Sequence, residues 1–107
     1  MNRFVGVVHP WANDPEANRP VVETICASIE AEGNVPIFAP FVFPWLDDVE
    51  PGERSRGLEM ACYLIARCRE VRAYGAPTEG MRYELAAARA AGIPVKWMME
   101  QPPEGEW

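Results

Sequence analysis

Glu84 is the carboxylate whose surroundings best suit chemistry. Met81, Leu85 and Ala88 are spaced by four and three, which marks the buried stripe of a helix running from Thr78 to Gly92. Glu84 lies three residues after Met81 and four before Ala88, so it shares that side, while Arg82 and Arg89 point elsewhere. A carboxylate beside a core stripe sits either at the stripe's wet margin or partly buried. Partial burial would raise its pKa and suit it to act as a nucleophile or base. Periodicity alone leaves an ordinary helix-surface glutamate equally open.

Gly75-Ala76-Pro77-Thr78-Glu79-Gly80 reads as the strand-to-helix turn that delivers this helix. Thr78 is a natural N-cap, and the free N–H groups of a helix N-terminus suit a phosphate or another anion. Capping alone would also explain Thr78, and the helix dipole alone would explain Glu79. His9, the single histidine, stands at a strand end. It can contact a ligand there or donate to a loop carbonyl. Asp47 and Asp48 are either general acids or members of a solvated turn. Phe43 and Trp45 either stack on a base or pin their loop to the core.

The elements that must position these residues alternate along the chain. Residues 3–8 are short, apolar and β-branched, a buried strand ended by His9-Pro10. A helix follows from about Asn18, with Val21, Val22, Ile25 and Ile29 at helical spacing, Pro20 in its first turn and Gly33 closing it. Residues 34–38 form a second strand, which Pro36 assigns to an edge. Residues 39–52 are a long loop rich in proline and aromatics, the kind of segment that is usually functional or mobile. A helix from Glu53 to Arg67 turns Leu58, Ala61, Cys62 and Ile65 inward. Residues 71–74 and 94–97 give two further strands, and 101–107 a tail. This order predicts an α/β fold: a small doubly wound, Rossmann-like parallel sheet of about four strands with three main helices. Ligands of such sheets bind beyond the carboxyl ends of the strands. Those ends are His9-Pro10, the 39–52 loop and the Gly75–Thr78 turn.

Composition narrows the function. The chain has 107 residues, 49% of them hydrophobic, which fits one domain over 1–107 with one packed core. A formal net charge of −6 with scattered arginines argues against nucleic acid. No apolar run approaches the ~20 residues of a membrane span, and Met1-Asn2-Arg3 leads into only a short apolar run rather than a signal peptide, so no membrane partner and a cytoplasmic location are expected. Cys26, Cys62 and Cys68 read as reduced thiols, and a single histidine leaves no metal site in view.

Thr78-Glu79-Gly80-Met81-Arg82-Tyr83-Glu84-Leu85, then Ala87-Ala88 and Ala91-Gly92-Ile93-Pro94-Val95, resembles the signature of the nucleoside 2-deoxyribosyltransferase-like family. The likeness to small phage and bacterial members extends through His9-Pro10, Phe43-Pro44-Trp45-Leu46-Asp47-Asp48 and Gly57-Leu58-Glu59-Met60. The resemblance implies an enzyme that cleaves or exchanges the N-glycosidic bond of a nucleotide or nucleoside without a cofactor. Glu84 takes the place of the nucleophile that attacks the anomeric carbon. Glu59 is the nearest counterpart of the family's helper aspartate. Thr78 falls where a hydroxyl faces the 5′ group, and His9, Pro10, Trp45, Asp47, Gly80 and Met81 complete the implied substrate site. The glycine- and arginine-rich phosphate loop of the family's hydrolases is replaced here by His9-Pro10-Trp11-Ala12-Asn13. The resemblance also implies a homodimer or higher homo-oligomer, with residues 39–52 of one subunit near the site of another. A module that binds a nucleotide-like metabolite without catalysis is the alternative. A purely structural or interaction protein, with the aromatic loop as contact surface, is a third.

Overall fold

A computed structural model of the protein describes residues 3–99; the 101–107 tail lies outside them. The elements run β1 (Phe4–Val8), α1 (Pro15–Ala31), β2 (Val35–Ile37), α2 (Ala39–Val42), α3 (Pro51–Ile65), β3 (Glu70–Ala73), α4 (Glu79–Ala90) and β4 (Val95–Trp97). The four strands form one sheet in the order β2-β1-β3-β4, and every neighbouring pair is parallel. β2 is an edge strand, which tolerates Pro36 without losing an interior ladder bond.

Side chains alternate across the sheet and so build two cores. Val5 and Val7 of β1 pack with Val22 and Ile29 of α1 and with Phe38. Val8, Val71 and Ala73 face the other way and pack with Ile65 of α3 and with Met81, Leu85 and Ala88 of α4. With α1 on one face and α3 and α4 on the other, the sheet is doubly wound. Full burial of side chains such as Leu85 and Met81 stabilises by about 1.5–3 kcal/mol each. Gly6 makes the α3 face possible. A Cβ there would lie 2.8 Å from Ile65 Cδ1 and 3.1 Å from Val71 Cγ2, so a larger residue would force these side chains to shift where the end of α3 meets the sheet.

The structure moves two boundaries. α1 begins at Pro15 rather than near Asn18, because Asp14 is the cap: its carboxylate accepts the Ala17 N–H at 3.1 Å. Pro20 is therefore inside the helix, not in its first turn, and removes the N–H that would have bonded Glu16. The earlier start also corrects the apolar stripe, since Val21 is half exposed while Val22 and Ile29 are buried. The 39–52 segment is not all loop. Its first residues form α2, and α3 starts at Pro51, where Glu50 accepts N–H groups of Gly52 and Glu53 at 3.1 and 2.7 Å. Only residues 43–50 remain irregular.

Gly33 and Gly92 end α1 and α4 with positive φ angles of 86° and 71°. Asn34 N–H reaches back to Ile29 O and Ile93 N–H to Ala88 O, so the last carbonyls of both helices are satisfied and the chain turns directly into β2 and β4.

Candidate functional site

A cavity of about 370 Å³ opens beyond the carboxyl ends of the strands, within the size range of small-molecule sites. Its position follows from the topology. From β1 the chain moves outward to β2, then returns past β1 to β3, so the connections leaving β1 and β3 diverge and leave a crevice between them. α4 forms one wall with Thr78, Gly80, Met81 and Glu84, and α3 adds Gly57, Leu58 and Ala61. Residues after β1 and β2 and the 43–50 loop form the opposite wall.

Glu84 is where its helical spacing places it, beside the buried Met81 and Leu85, and it lines the cavity. The residue as a whole is partly exposed, yet its Oε2 is sealed from solvent and has no hydrogen-bond partner among the described residues. Burial pushes its carboxyl pKa up to about 8. Near neutral pH the group is therefore mainly protonated, and it titrates only when the pH reaches that value. A buried polar atom without a partner costs about 1–3 kcal/mol, so nothing in the packing itself accounts for a glutamate at this position.

Thr78 caps α4. Its Oγ1 accepts the Met81 N–H at 3.3 Å, which leaves the hydroxyl hydrogen available to the cavity it lines. Gly80 also lines the cavity; a Cβ there would meet Leu58 Cδ2 at 3.7 Å, an ordinary contact. His9 lines the cavity, and its Nδ1 is 2.7 Å from Pro10 O, the loop-carbonyl contact that its position allowed. A carbonyl can only accept, so Nδ1 carries a proton and Nε2 of the neutral ring remains an acceptor.

The remaining expected site residues lie outside the cavity lining. Pro10 braces the turn instead, with its Cγ 3.5 Å from where a Cβ of Gly75 would be, and Gly75 itself has a φ of 76°. Asp47 closes a small turn by accepting the Val49 N–H at 2.9 Å; its neighbour Asp48 is the one that lines the cavity. Trp45 is 67% exposed and packs edge-on against Phe43, which does line the cavity. Glu59 is exposed on the outer side of α3, in a shallow groove with Ser55, Cys62 and Tyr83. One residue step along a helix turns a side chain by ~100°, so Leu58 faces the cavity and Glu59 does not.

Four lining residues had no local signal: Trp11, Arg19, Phe38 and Arg54. Trp11, Phe38 and Phe41 meet edge to face, with ring centroids 4.9–5.5 Å apart, and Trp11 and Phe38 line the cavity. Arg19 lines it too, with its guanidinium carbon 5.4 Å from the centre of the Trp11 ring and 4.9 Å from that of Phe41. Arg54 of α3 pairs with Glu79 of α4 at 3.1 Å across the mouth. Among the described residues no cluster of His, Cys, Asp or Glu could hold a metal ion, and no helix is long and apolar enough to cross a membrane.

Among solved structures, a 2-desoxiribosyltransferase from Leishmania mexicana is similar, with a TM-score of 0.61 at 17% sequence identity over 89% of this chain. The match covers 63% of that protein, so this chain spans less than two thirds of its length. At that identity the likeness is one of fold. No curated protein matches the sequence. A family model matches residues 3–98, which includes every element of the sheet and every residue of the cavity. The chain belongs to that family, described as Domain of unknown function (DUF7768).

Proposed function

We propose that this protein cleaves or exchanges the N-glycosidic bond of a nucleotide or nucleoside, with Glu84 as nucleophile. The observation that carries the reading is the Glu84 carboxyl, placed in the strand-end cavity with Oε2 buried and unpartnered. The fold likeness to a 2-desoxiribosyltransferase supports it. In this reading ionised Glu84 bonds to the anomeric carbon as the carbon–nitrogen bond breaks. The base departs with the electron pair and takes a proton from solvent at the open mouth. Water, or an acceptor base, then attacks the anomeric carbon and releases the carboxylate. His9 Nε2 and the Thr78 hydroxyl supply an acceptor and a donor to orient the ligand. The protein works as a homodimer or larger assembly, because Val42, Trp45 and Val49 leave apolar surface exposed beside the cavity.

A second reading is a binding module, and one observation favours it. Glu84 is mainly neutral near pH 7, and Glu59 is not in the cavity to help it, so the site can hold a ligand through hydrogen bonds without reacting. Incubation with a panel of nucleosides and nucleoside monophosphates separates the two. Free base in the mixture supports the enzyme; binding with intact ligand supports the module.

A further inference from the structure

We infer that Arg19 is the specificity-determining residue of this cavity and that it selects ligands carrying a phosphomonoester. The inference deepens the nucleotide-or-nucleoside reading and rests on it.

Of the two arginines that line the cavity, Arg19 differs from Arg54 in what holds it. Arg72 is bound by Glu32 and Glu70, and Arg54 by Glu79. Arg19 has no carboxylate partner among the described residues, including its helical neighbours Glu16 and Glu23. Its guanidinium rests instead over the rings of Trp11 and Phe41, which are themselves fixed at 86° to each other. A cation held over ring faces by their quadrupole keeps its N–H groups for an acceptor. Arg19 is exposed, so its charge is placed at the cavity without an ion-pair partner, in a chain with 16 acidic residues and 10 Lys and Arg.

Of the other charged groups of the lining, Arg54 and Glu79 pair with each other, Glu84 is mainly protonated near neutral pH, and Asp48 is the remaining carboxylate. Thr78 at the N-terminus of α4 lines the same cavity, with its hydroxyl hydrogen unused. A tetrahedral anion can accept a fork of two N–H groups from an arginine and still present oxygens to a hydroxyl and a helix N-terminus. A neutral hydroxymethyl group cannot use the Arg19 charge.

Calorimetric titration of the full chain tests this with three probes: a 2′-deoxynucleoside 5′-monophosphate, the matching 2′-deoxynucleoside, and inorganic phosphate. The wild type should bind the monophosphate at least about tenfold more tightly than the nucleoside. Arg19→Met keeps the apolar stem on the rings and removes the fork. It should weaken the monophosphate by about 10- to 100-fold and abolish phosphate binding, with the nucleoside changed less than about twofold. Arg19→Lys, which keeps the charge, should fall between the two and stands in if the methionine variant does not fold. Arg82→Gln, an exposed arginine outside the cavity lining, should change the monophosphate by less than about threefold. Binding of phosphate through Arg19 with no binding of either nucleoside ligand would remove the nucleoside reading and leave the role of Arg19 intact. Equal losses for monophosphate and nucleoside in Arg19→Met, no loss, or no binding of any probe to the wild type would overturn the role of Arg19.

Discussion

The α4 wall of the cavity comes from one short stretch, with Thr78, Gly80, Met81 and Glu84 set by a single helix and its cap, whereas the facing wall gathers Trp11, Arg19, Phe38 and Phe43 from segments far apart in sequence. The first wall is rigid because its apolar residues are also core: Met81 and Leu85 are essentially inaccessible to solvent. The second is held by aromatic edges and a stacked guanidinium, contacts of about 0.5–1.5 kcal/mol each. The difference divides the labour. The wall that cannot shift carries the buried carboxyl, where a misplacement of ~1 Å would matter most to chemistry. The adaptable wall carries the groups that would recognise a ligand.

Changes at Glu84 should have the largest effects. Glu84→Gln keeps the shape and removes the nucleophile, so glycosidase or transferase turnover should fall by about 10³-fold or more while the circular dichroism spectrum is retained. The same residue should give the protein a pH signature. Between pH 4.5 and about 8 the unfolded chain has Glu84 ionised and the native protein holds it protonated. The native state then binds the extra proton, so its stability falls as pH rises through that window and levels off above it. Denaturant titrations of wild type and Glu84→Gln should diverge across the window by on the order of 2–4 kcal/mol, with the wild type losing ground. Parallel curves would mean that Glu84 titrates normally. By the same reasoning kcat/KM should rise as pH approaches 8.

A smaller effect is expected at the cap. Thr78→Val removes the acceptor for Met81 N–H and should lower stability by about 1 kcal/mol, read as a shift of the urea midpoint. If its hydroxyl hydrogen also meets the ligand, affinity for a monophosphate should drop more than for the nucleoside; equal drops would leave Thr78 only a capping role. Smallest of all should be Trp45→Ala. Being 67% exposed and outside the cavity lining, Trp45 should contribute under about 0.5 kcal/mol to the fold. Light scattering should nevertheless show weaker self-association, because its ring is part of the apolar surface beside the cavity. An unchanged mass near 12.0 kDa in both proteins would remove the shared-site arrangement.

The contrast between the walls also explains what could be read from sequence. The parallel sheet, the edge position of β2 and the burial of Met81, Leu85 and Ala88 follow from local patterns: strands alternating with helices, a proline in a strand, a stripe spaced by four and three. Glu84 could be found because it sits inside such a pattern. Arg19 and Trp11 could not, since only tertiary packing brings α1 beside the ends of β1 and β2. The helix read from about Asn18 already contains Arg19, but its spacing does not show what Arg19 faces. Glu59 lies one helical step off the cavity lining, and Trp45 and Asp47 lie one or two positions off it within an irregular loop, where spacing carries no directional information. Asp48 and Phe43 of the same loop reach the cavity instead.

The central claim is that Glu84 becomes covalently bonded to a sugar. The most direct measurement is mass spectrometry of the protein quenched in acid during incubation with a nucleotide substrate, followed by peptide mapping. The account predicts a sugar-sized mass increase on the peptide containing Glu84, absent from Glu84→Gln. Release of free base at comparable rates by the wild type and by Glu84→Gln, with no adduct on that peptide, would contradict it.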